Sequence, residues 1–493
     1  MVIDKNSDLE NFNISVQEIK ASIKEHLKEI EPTPHAEILV QLLEQFEPID
    51  FRSLANHHND EKFKLLTKHL LVLSIENTLL IADKNRWSLC KNHDFIYLYN
   101  GAFWYEVYKE TFQMFLGEAA EQMGAPKFEA RYYQFREQLY KQFLATAYLP
   151  TPESDKDKVL INLKNGTFEI SQLGTNLRPF DRSDFITYQL PFEYNPQAKA
   201  PLFEAYLNRV LPDKERQIVL AEYLGYVFIK HGSNALKEEK ALVLYGTGAN
   251  GKSVFFEIVN AMLGNENVSS FSLQSLTNEN GYFRAKLANK LVNYASEING
   301  NLEASIFKQL VSGEPVEARL PYGQPFILKQ YAKLIFNCNE LPKDVEHTNA
   351  YFRRFLIIPF DVTIPAHEQD KQLHSKIIEN ELSGVFNWVL DGLKRLLEQK
   401  RFSECEAAQR AVEQYKIESD SVQMFLSEHD YKVSAVNDIP LKEIFSDYRN
   451  YCIESGFKAC SIRTLADRLR SSGYQTERKN YGMGVNAEKK ISF

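Results

Sequence analysis

At 493 residues, 44% of them hydrophobic and 25% charged, the chain exceeds one ordinary domain and has the balance of a soluble globular protein. A net charge of −8 excludes a uniformly basic nucleic-acid coat, so any DNA contact has to come from local basic patches. Cys90, Cys338, Cys405, Cys452 and Cys460 are odd in number and widely spaced, with no CxxC pair. They give no sign of a disulfide framework or a zinc site and fit a reducing cytosol.

The N-terminus MVIDKNSDLENF lacks a basic and then apolar leader, and no stretch is long enough to span a bilayer. A cytoplasmic location with no membrane partner is therefore expected. Residues 1–94 are predicted to be helical, because Leu39, Leu42, Leu43 and Phe46, and then Leu65, Leu66, Leu70 and Leu71, recur at helical spacing. That pattern by itself describes a packing or docking module. An α+β segment is expected over 95–235. It opens on the strand-like IYLYNGAFWYEV, with a turn at Asn100-Gly101, and continues through helices to about residue 148. The charged loop TPESDKDK follows, then VLINLKNGTFEI with a second Asn-Gly turn, and a helical signature over 201–231.

The most specific signal comes next, in ALVLYGTGANGKSVFFEIVNAML. Ala241 to Tyr245 form a short apolar run of the kind that makes a buried parallel strand. Gly246, Thr247, Gly248, Ala249, Asn250, Gly251, Lys252 and Ser253 match G-x-x-x-x-G-K-[ST] at every fixed position, and helical periodicity resumes after them. The glycines let backbone amides turn inward around a phosphate, and the helix that follows offers its positive end to the same anion. Lys252 can neutralise the β- and γ-phosphates of ATP, and the Ser253 hydroxyl can ligate Mg²⁺.

Three further elements follow in order. LVNYASEI is an apolar strand ending in one carboxylate, Glu297, suited to hold Mg²⁺ or polarise the attacking water. KLIFNCNELP ends in Asn339, whose amide can sense the γ-phosphate. NAYFRRFLIIPF presents Arg353 and Arg354 ahead of a strand, and either can be an arginine finger for a neighbouring subunit. The plainer readings are a surface glutamate, a turn asparagine and a pair of salt-bridging arginines.

Taken together, the P-loop, ASE, LVSGEP, FNCNELP and FRRF resemble the superfamily 3 helicases within the AAA+ ATPases. The similarity is to the phage and plasmid primase-helicase branch, to which the poxvirus helicase-primase also belongs. Upstream, YNGAFWYEV, LINLKNGTFEI, LPFEYNPQAKAPLF and LAEYLGY are similar to the domain that precedes the ATPase there. The resemblance implies an α/β fold with a P-loop AAA+ core over 236–420, behind the α+β domain. It implies Glu297 as the Walker B acid, Asn339 as sensor 1 and Arg353 or Arg354 as the finger. Some members carry two adjacent acids at the Walker B position, whereas Ser296 precedes Glu297 here. The N-terminal ninety or so residues are too few for a polymerase-type primase domain, so priming would come from a separate polypeptide.

DNA contacts are expected in two places. VEARLPYGQPFILKQYAK reads as a hairpin turning at residues 322–325, where the family has a pore hairpin. Arg319, Lys329 and Lys333 offer phosphate contacts there, and Tyr322 a stacking face. Residues 421–493 read as helix, helix and basic hairpin, a winged-helix-like pattern that carries Arg463, Arg470, Arg478 and Lys479. The resulting expectation is a homo-hexameric ATP-dependent helicase that translocates on single-stranded DNA and engages forked DNA. An ATP-switched replication initiator and a P-loop assembly or signalling ATPase are the alternatives.

Overall fold

Short apolar strands joined by turn residues cannot satisfy their backbone groups alone, and in the N-terminal third they do so by forming a meander. In the computed structural model, which describes residues 32–56, 62–92, 95–147, 156–296, 298, 302–320, 323–342 and 345–489, β1 (Ser88–Asn92), β2 (Phe95–Tyr99) and β3 (Trp104–Val107) pair antiparallel in that order. The Asn100 side chain accepts from the amides of Ala102 and Phe103 and closes the β2–β3 turn. Helices α1 (His35–Leu43), α2 (Phe51–Ala55) and α3 (Thr67–Lys84) precede the sheet. Helices α4 (Lys109–Gln122), α5 (Lys127–Arg131) and α6 (Tyr133–Thr146) follow it.

The contacts divide the chain into two compact units, residues 1–154 with 180–187 and residues 155–179 with 188–493. The division expected at residue 94 therefore does not separate packed bodies. Strand β1 pairs with β2 across it, and Trp87, Leu89, Ile96 and Leu98 share one core with Ile38, Ile75, Phe112 and Phe143. The helices need the apolar face of the sheet to bury their own stripe. Leu65 and Leu66, expected to continue that stripe, lie exposed ahead of α3. The helical expectation for residues 1–31, and most of the charged loop 151–158, lie outside the described residues.

The second unit opens on an antiparallel sheet of β4 (Val159–Leu163), β5 (Gly166–Ser171) and β6 (Gly174–Arg178). Leu163 pairs with Gly166, so the two turn residues are Lys164 and Asn165, one position earlier than Asn-Gly would place them. The helical signature over 201–231 divides into α7 (Pro201–Val210) and α8 (Lys214–Tyr226). The break falls at Pro212, and Asp213 caps α8 by accepting from the Glu215 amide.

A five-stranded sheet follows, built from β7 (Ala241–Tyr245), β8 (Val268–Ser269), β9 (Val292–Ala295), β12 (Lys333–Cys338) and β13 (Phe355–Pro359), in spatial order β13-β7-β12-β9-β8. Every neighbouring pair is parallel. Burial on both faces explains why these strands read as continuous apolar runs. Ala241, Val243 and Ile357 share a core with Phe307, Tyr351 and Tyr415, while Leu242 and Leu244 are buried on the opposite face. The sheet's helices include α9 (Lys252–Leu263), α10 (Leu273–Thr277), α11 (Tyr282–Ala285), α12 (Ala304–Ser312) and α13 (Asn349–Phe352). Beyond β13 come α14 (Leu373–Asn380), α15 (Leu382–Gln399) and α16 (Glu406–Glu418). A two-stranded hairpin of β10 (Val316–Arg319) and β11 (Pro325–Leu328) lies between β9 and β12 in the chain.

The C-terminal part holds α17 (Ser421–Glu428), α18 (Leu441–Ser455) and α19 (Ile462–Ser471), around a core with Phe425, Ile444, Leu465 and Val485. Strand β15 (Ile439–Pro440) joins the hairpin of β16 (Thr476–Lys479) and β17 (Gly482–Val485) in a small antiparallel sheet. A separate pair forms from β14 (Tyr431–Val433) and β18 (Ala487–Lys489). The chain is thus a mixed α/β protein with a parallel sheet. Among the described residues no helix is long and apolar enough to cross a membrane.

Candidate functional site

Strand β7 ends at Tyr245, and the chain turns through residues 246–251 before α9 begins at Lys252. The turn needs residues tolerant of positive φ: Gly248 stands at 109°, Ala249 at 47° and Gly251 at 89°. Gly246 is required for a different reason. A Cβ there would lie 2.3 Å from both the Asn250 amide nitrogen and the Phe360 carbonyl.

The loop is anchored on three sides. Buried Asn250 donates to the Phe360 carbonyl at 2.9 Å, the Ile364 amide donates to the Ala249 carbonyl at 2.7 Å, and the Tyr206 hydroxyl donates to the Gly251 carbonyl at 2.7 Å. None of these anchors was visible in the motif, because each joins residues far apart in the chain.

Lys252 is only 6% exposed. Its ammonium donates to the Gly246 carbonyl at 2.5 Å, to Asn250 Oδ1 at 3.2 Å and to Asn339 Oδ1 at 3.4 Å. Burial lowers its pKa from the ordinary lysine range, and burial pushes the neighbouring Cys338 thiol up to about 12, so that thiol stays neutral. The cation faces neutral oxygens, with no carboxylate beside it among the described residues. Asn339 comes into reach because β12 lies beside β7 and runs the same way, which sets both strand ends on one edge of the sheet. Thr247 and Ser253 are exposed at the same edge. Glu297 lies outside the described residues. Among those described, no group of three or more His, Cys, Asp or Glu could hold a metal.

Arg353 and Arg354 sit at the other end of the sheet. Phe355 is level with Ala241, and Pro359 with Tyr245, so roughly 13 Å of strand separates the arginines from the loop. The two differ sharply. Arg354 is buried, donates to Ser312 Oγ at 2.8 Å and to the Ala350 carbonyl, and pairs with Glu239 at 3.3 Å. Arg353 has a side chain 59% exposed and pairs with Glu239 at 3.2 Å.

In the β10–β11 hairpin, Arg319 and Lys329 are exposed, and Arg319 Nε donates to the Gly323 carbonyl at 2.9 Å. Tyr322 lies outside the described residues. Lys333 corrects its expectation as a phosphate contact. It is the first residue of β12 and is buried, with its ammonium 3.1 Å from His231 Nδ1 and 4.1 Å from the Tyr226 ring centre. Burial brings its pKa down to about 7. Sequence reading also missed Arg284, a buried guanidinium donating to the carbonyls of Glu317, Leu276 and Asn278, which ties the base of β10 to α10 and the loop after it. Buried arginines satisfied by carbonyls have no local sequence signature.

At the C-terminal end, Arg463 and Arg478 are exposed and have no ion-pair partner among the described residues. Arg470 pairs with Asp467, and Lys479 with Asp438 and Glu477, whose carboxylates raise its pKa. The expected basic face is therefore partly neutralised by its own neighbours.

A family model described as D5 N terminal like matches residues 77–212, and one described as Family of unknown function (DUF5906) matches residues 244–354. The chain is similar to "Putative helicase L207/L206" of Acanthamoeba polyphaga mimivirus, 25% identical over 238 residues that cover 46% of this chain and 24% of that protein. It is also similar to "Putative helicase 121R" of Invertebrate iridescent virus 3, 22% identical over 348 residues that cover 61% of this chain and 36% of that protein. The matched stretches span well under half the length of either relative. Among solved structures, the apo NrS-1 C-terminal region aligns at 12% identity with a TM-score of 0.46, over 85% of this chain and 99% of that one. The D5 N-terminal-like segment and the two viral relatives relate this chain to the phage and viral primase-helicase family.

Proposed function

We propose that the chain is an ATP-dependent DNA helicase of the superfamily 3 AAA+ type, which moves along single-stranded DNA as a homo-hexameric ring. The observation that carries this is the Lys252 ammonium, buried at the mouth of a parallel strand against neutral oxygens, beside a turn whose positive φ angles gather backbone amides. A buried cation of this kind is stabilised by an anion, and a nucleotide phosphate has the charge and acceptor geometry that a helix N-terminus takes. The helicase-type names of the viral relatives agree with this reading.

In this reading the amides of the 246–251 turn and Lys252 bind the β- and γ-phosphates, while Ser253 and Glu297 hold Mg²⁺. The ion supplies charge withdrawal from the phosphate oxygens. Glu297 takes the proton of the attacking water, and Asn339 orients that water or the γ-phosphate. Arg353, exposed and remote from its own loop, is the finger that completes a neighbouring subunit's site, and Arg354 holds the strand end in place. Exposed Arg319 and Lys329 carry the strand in the ring, and Tyr322 stacks on bases. The helix–strand–helix–helix–hairpin order of 421–489 supports reading it as a winged helix, with Arg463 and Arg478 as its phosphate contacts and Arg470 and Lys479 as weaker ones.

The test measures ATP turnover with and without single-stranded DNA, alongside displacement of a labelled strand from a fork. Stimulated turnover coupled to displacement is expected. Stimulation without displacement moves the protein to an ATP-switched initiator, and turnover indifferent to DNA overturns the DNA reading.

A further inference from the structure

We propose a second nucleic-acid surface, on the N-terminal unit, where residues 62–69 and 127–133 form a stacking platform for single-stranded nucleic acid. The Thr67 hydroxyl donates to Glu129 at 3.0 Å, so the start of α3 and helix α5 lie side by side. Around this junction the rings face water. Phe128 is 90% exposed, Tyr133 66% and Tyr132 49%. A phenylalanine in a regular helix that touches almost nothing of its own protein contributes nothing to the fold, so its apolar face is available to a partner.

Charge identifies the partner. The chain as a whole carries −8, yet these two segments hold five lysines and arginines against one carboxylate, Glu129. That carboxylate accepts from Thr67, and Arg131 is held by Glu121 of α4 at 2.7 Å. Lys64, Lys68 and Lys127 have no ion-pair partner among the described residues. Unpaired cations interleaved with exposed rings suit a polyanion whose bases are unstacked, because every base has a face to lay on a ring and each nucleotide brings a phosphate. A purely apolar protein-docking patch would not need this local reversal of the chain's sign. The surface belongs to a different unit of the chain from the hairpin and the C-terminal hairpin face assigned above, and it needs no nucleotide.

The experiment uses the full chain without ATP and a labelled oligo-dT of about thirty nucleotides, in which some bases are replaced by 4-thiothymidine for photocrosslinking. Crosslinks mapped by peptide mass are expected within 127–133. Phe128→Ala/Tyr133→Ala should weaken oligo-dT binding at least about twentyfold with little change in salt dependence. Lys64→Ala/Lys68→Ala/Lys127→Ala should instead flatten the slope of log affinity against log salt by about two. The two variants carry separate signatures, so misfolding of one leaves the other and the crosslink to decide. Wild-type affinity in both variants, or crosslinks that avoid 127–133, overturns the proposal. A fall in assembly size by sedimentation with crosslinks unchanged elsewhere would show instead that the patch joins protein to protein. Because ATP is absent throughout, failure here leaves the helicase reading to its own test.

Discussion

Two lysines of the parallel sheet are almost equally buried, yet their surroundings differ. Lys252, 6% exposed, stands at the C-terminal edge among carbonyl and side-chain amide oxygens, beside the glycine turn of 246–251. Lys333, 7% exposed, stands at the opposite edge against an imidazole and a tyrosine ring, with His231 itself held well below its ordinary pKa by burial and by the lysine. Burial lowers both pKa values, so a perturbed lysine does not by itself mark function. What separates them is the company: Lys252 faces oxygens beside a glycine turn, where the proposed function puts a phosphate, whereas Lys333 is enclosed by an imidazole and a tyrosine ring.

The largest expected difference is in turnover. Lys252→Ala should bring ATP hydrolysis to background and abolish tight nucleotide binding, while Lys333→Met, similar in length and neutral, should leave hydrolysis within about twofold. A Lys333→Met protein that folds but cannot hydrolyse ATP would erase the distinction between the two edges.

The same edge that holds Lys333 also holds the two arginines, and there a second contrast is testable. Arg353→Ala should cut turnover by about a thousandfold with little change in melting temperature. Arg354→Ala should chiefly destabilise, by about 3 kcal/mol, because loss of the buried guanidinium leaves a cavity and deprives Ser312 and the Ala350 carbonyl of their donor, while Glu239 keeps Arg353. Mixed rings of Lys252→Ala and Arg353→Ala subunits should regain part of the activity. No recovery would place the finger elsewhere.

The smallest effect is a pH dependence of stability. With a pKa of about 7 folded and an ordinary one unfolded, Lys333 binds more proton in the unfolded chain between pH 7 and the usual lysine range. Its burial therefore costs stability fully below pH 7, and the cost fades as pH rises above it. His231, also depressed, adds a loss of stability as pH falls below its unfolded value. Lys333→Met should melt several degrees above the parent at pH 7, with the gap closing toward pH 10. A gap independent of pH would mean that Lys333 is not the titrating group.

The chain by itself determined the elements whose signal is local. The apolar run, glycine turn and helix of 241–263 form where the spacing places them, since strand burial and positive φ are written in adjacent residues. The order of the later strands along the chain was legible for the same reason. Other features depended on residues far apart. The sheet order brings Asn339 to Lys252, and Ser312 holds Arg354, but not Arg353, in a buried place. His231 and Tyr226 close over Lys333, and Asp438 claims Lys479. The hydrogen bonding of β1 to β2 across residue 94 is likewise a pairing that local spacing does not show. Local spacing sets the backbone path, but the exposure and charge of a side chain depend on what long-range packing brings against it, and only the tertiary structure decides that.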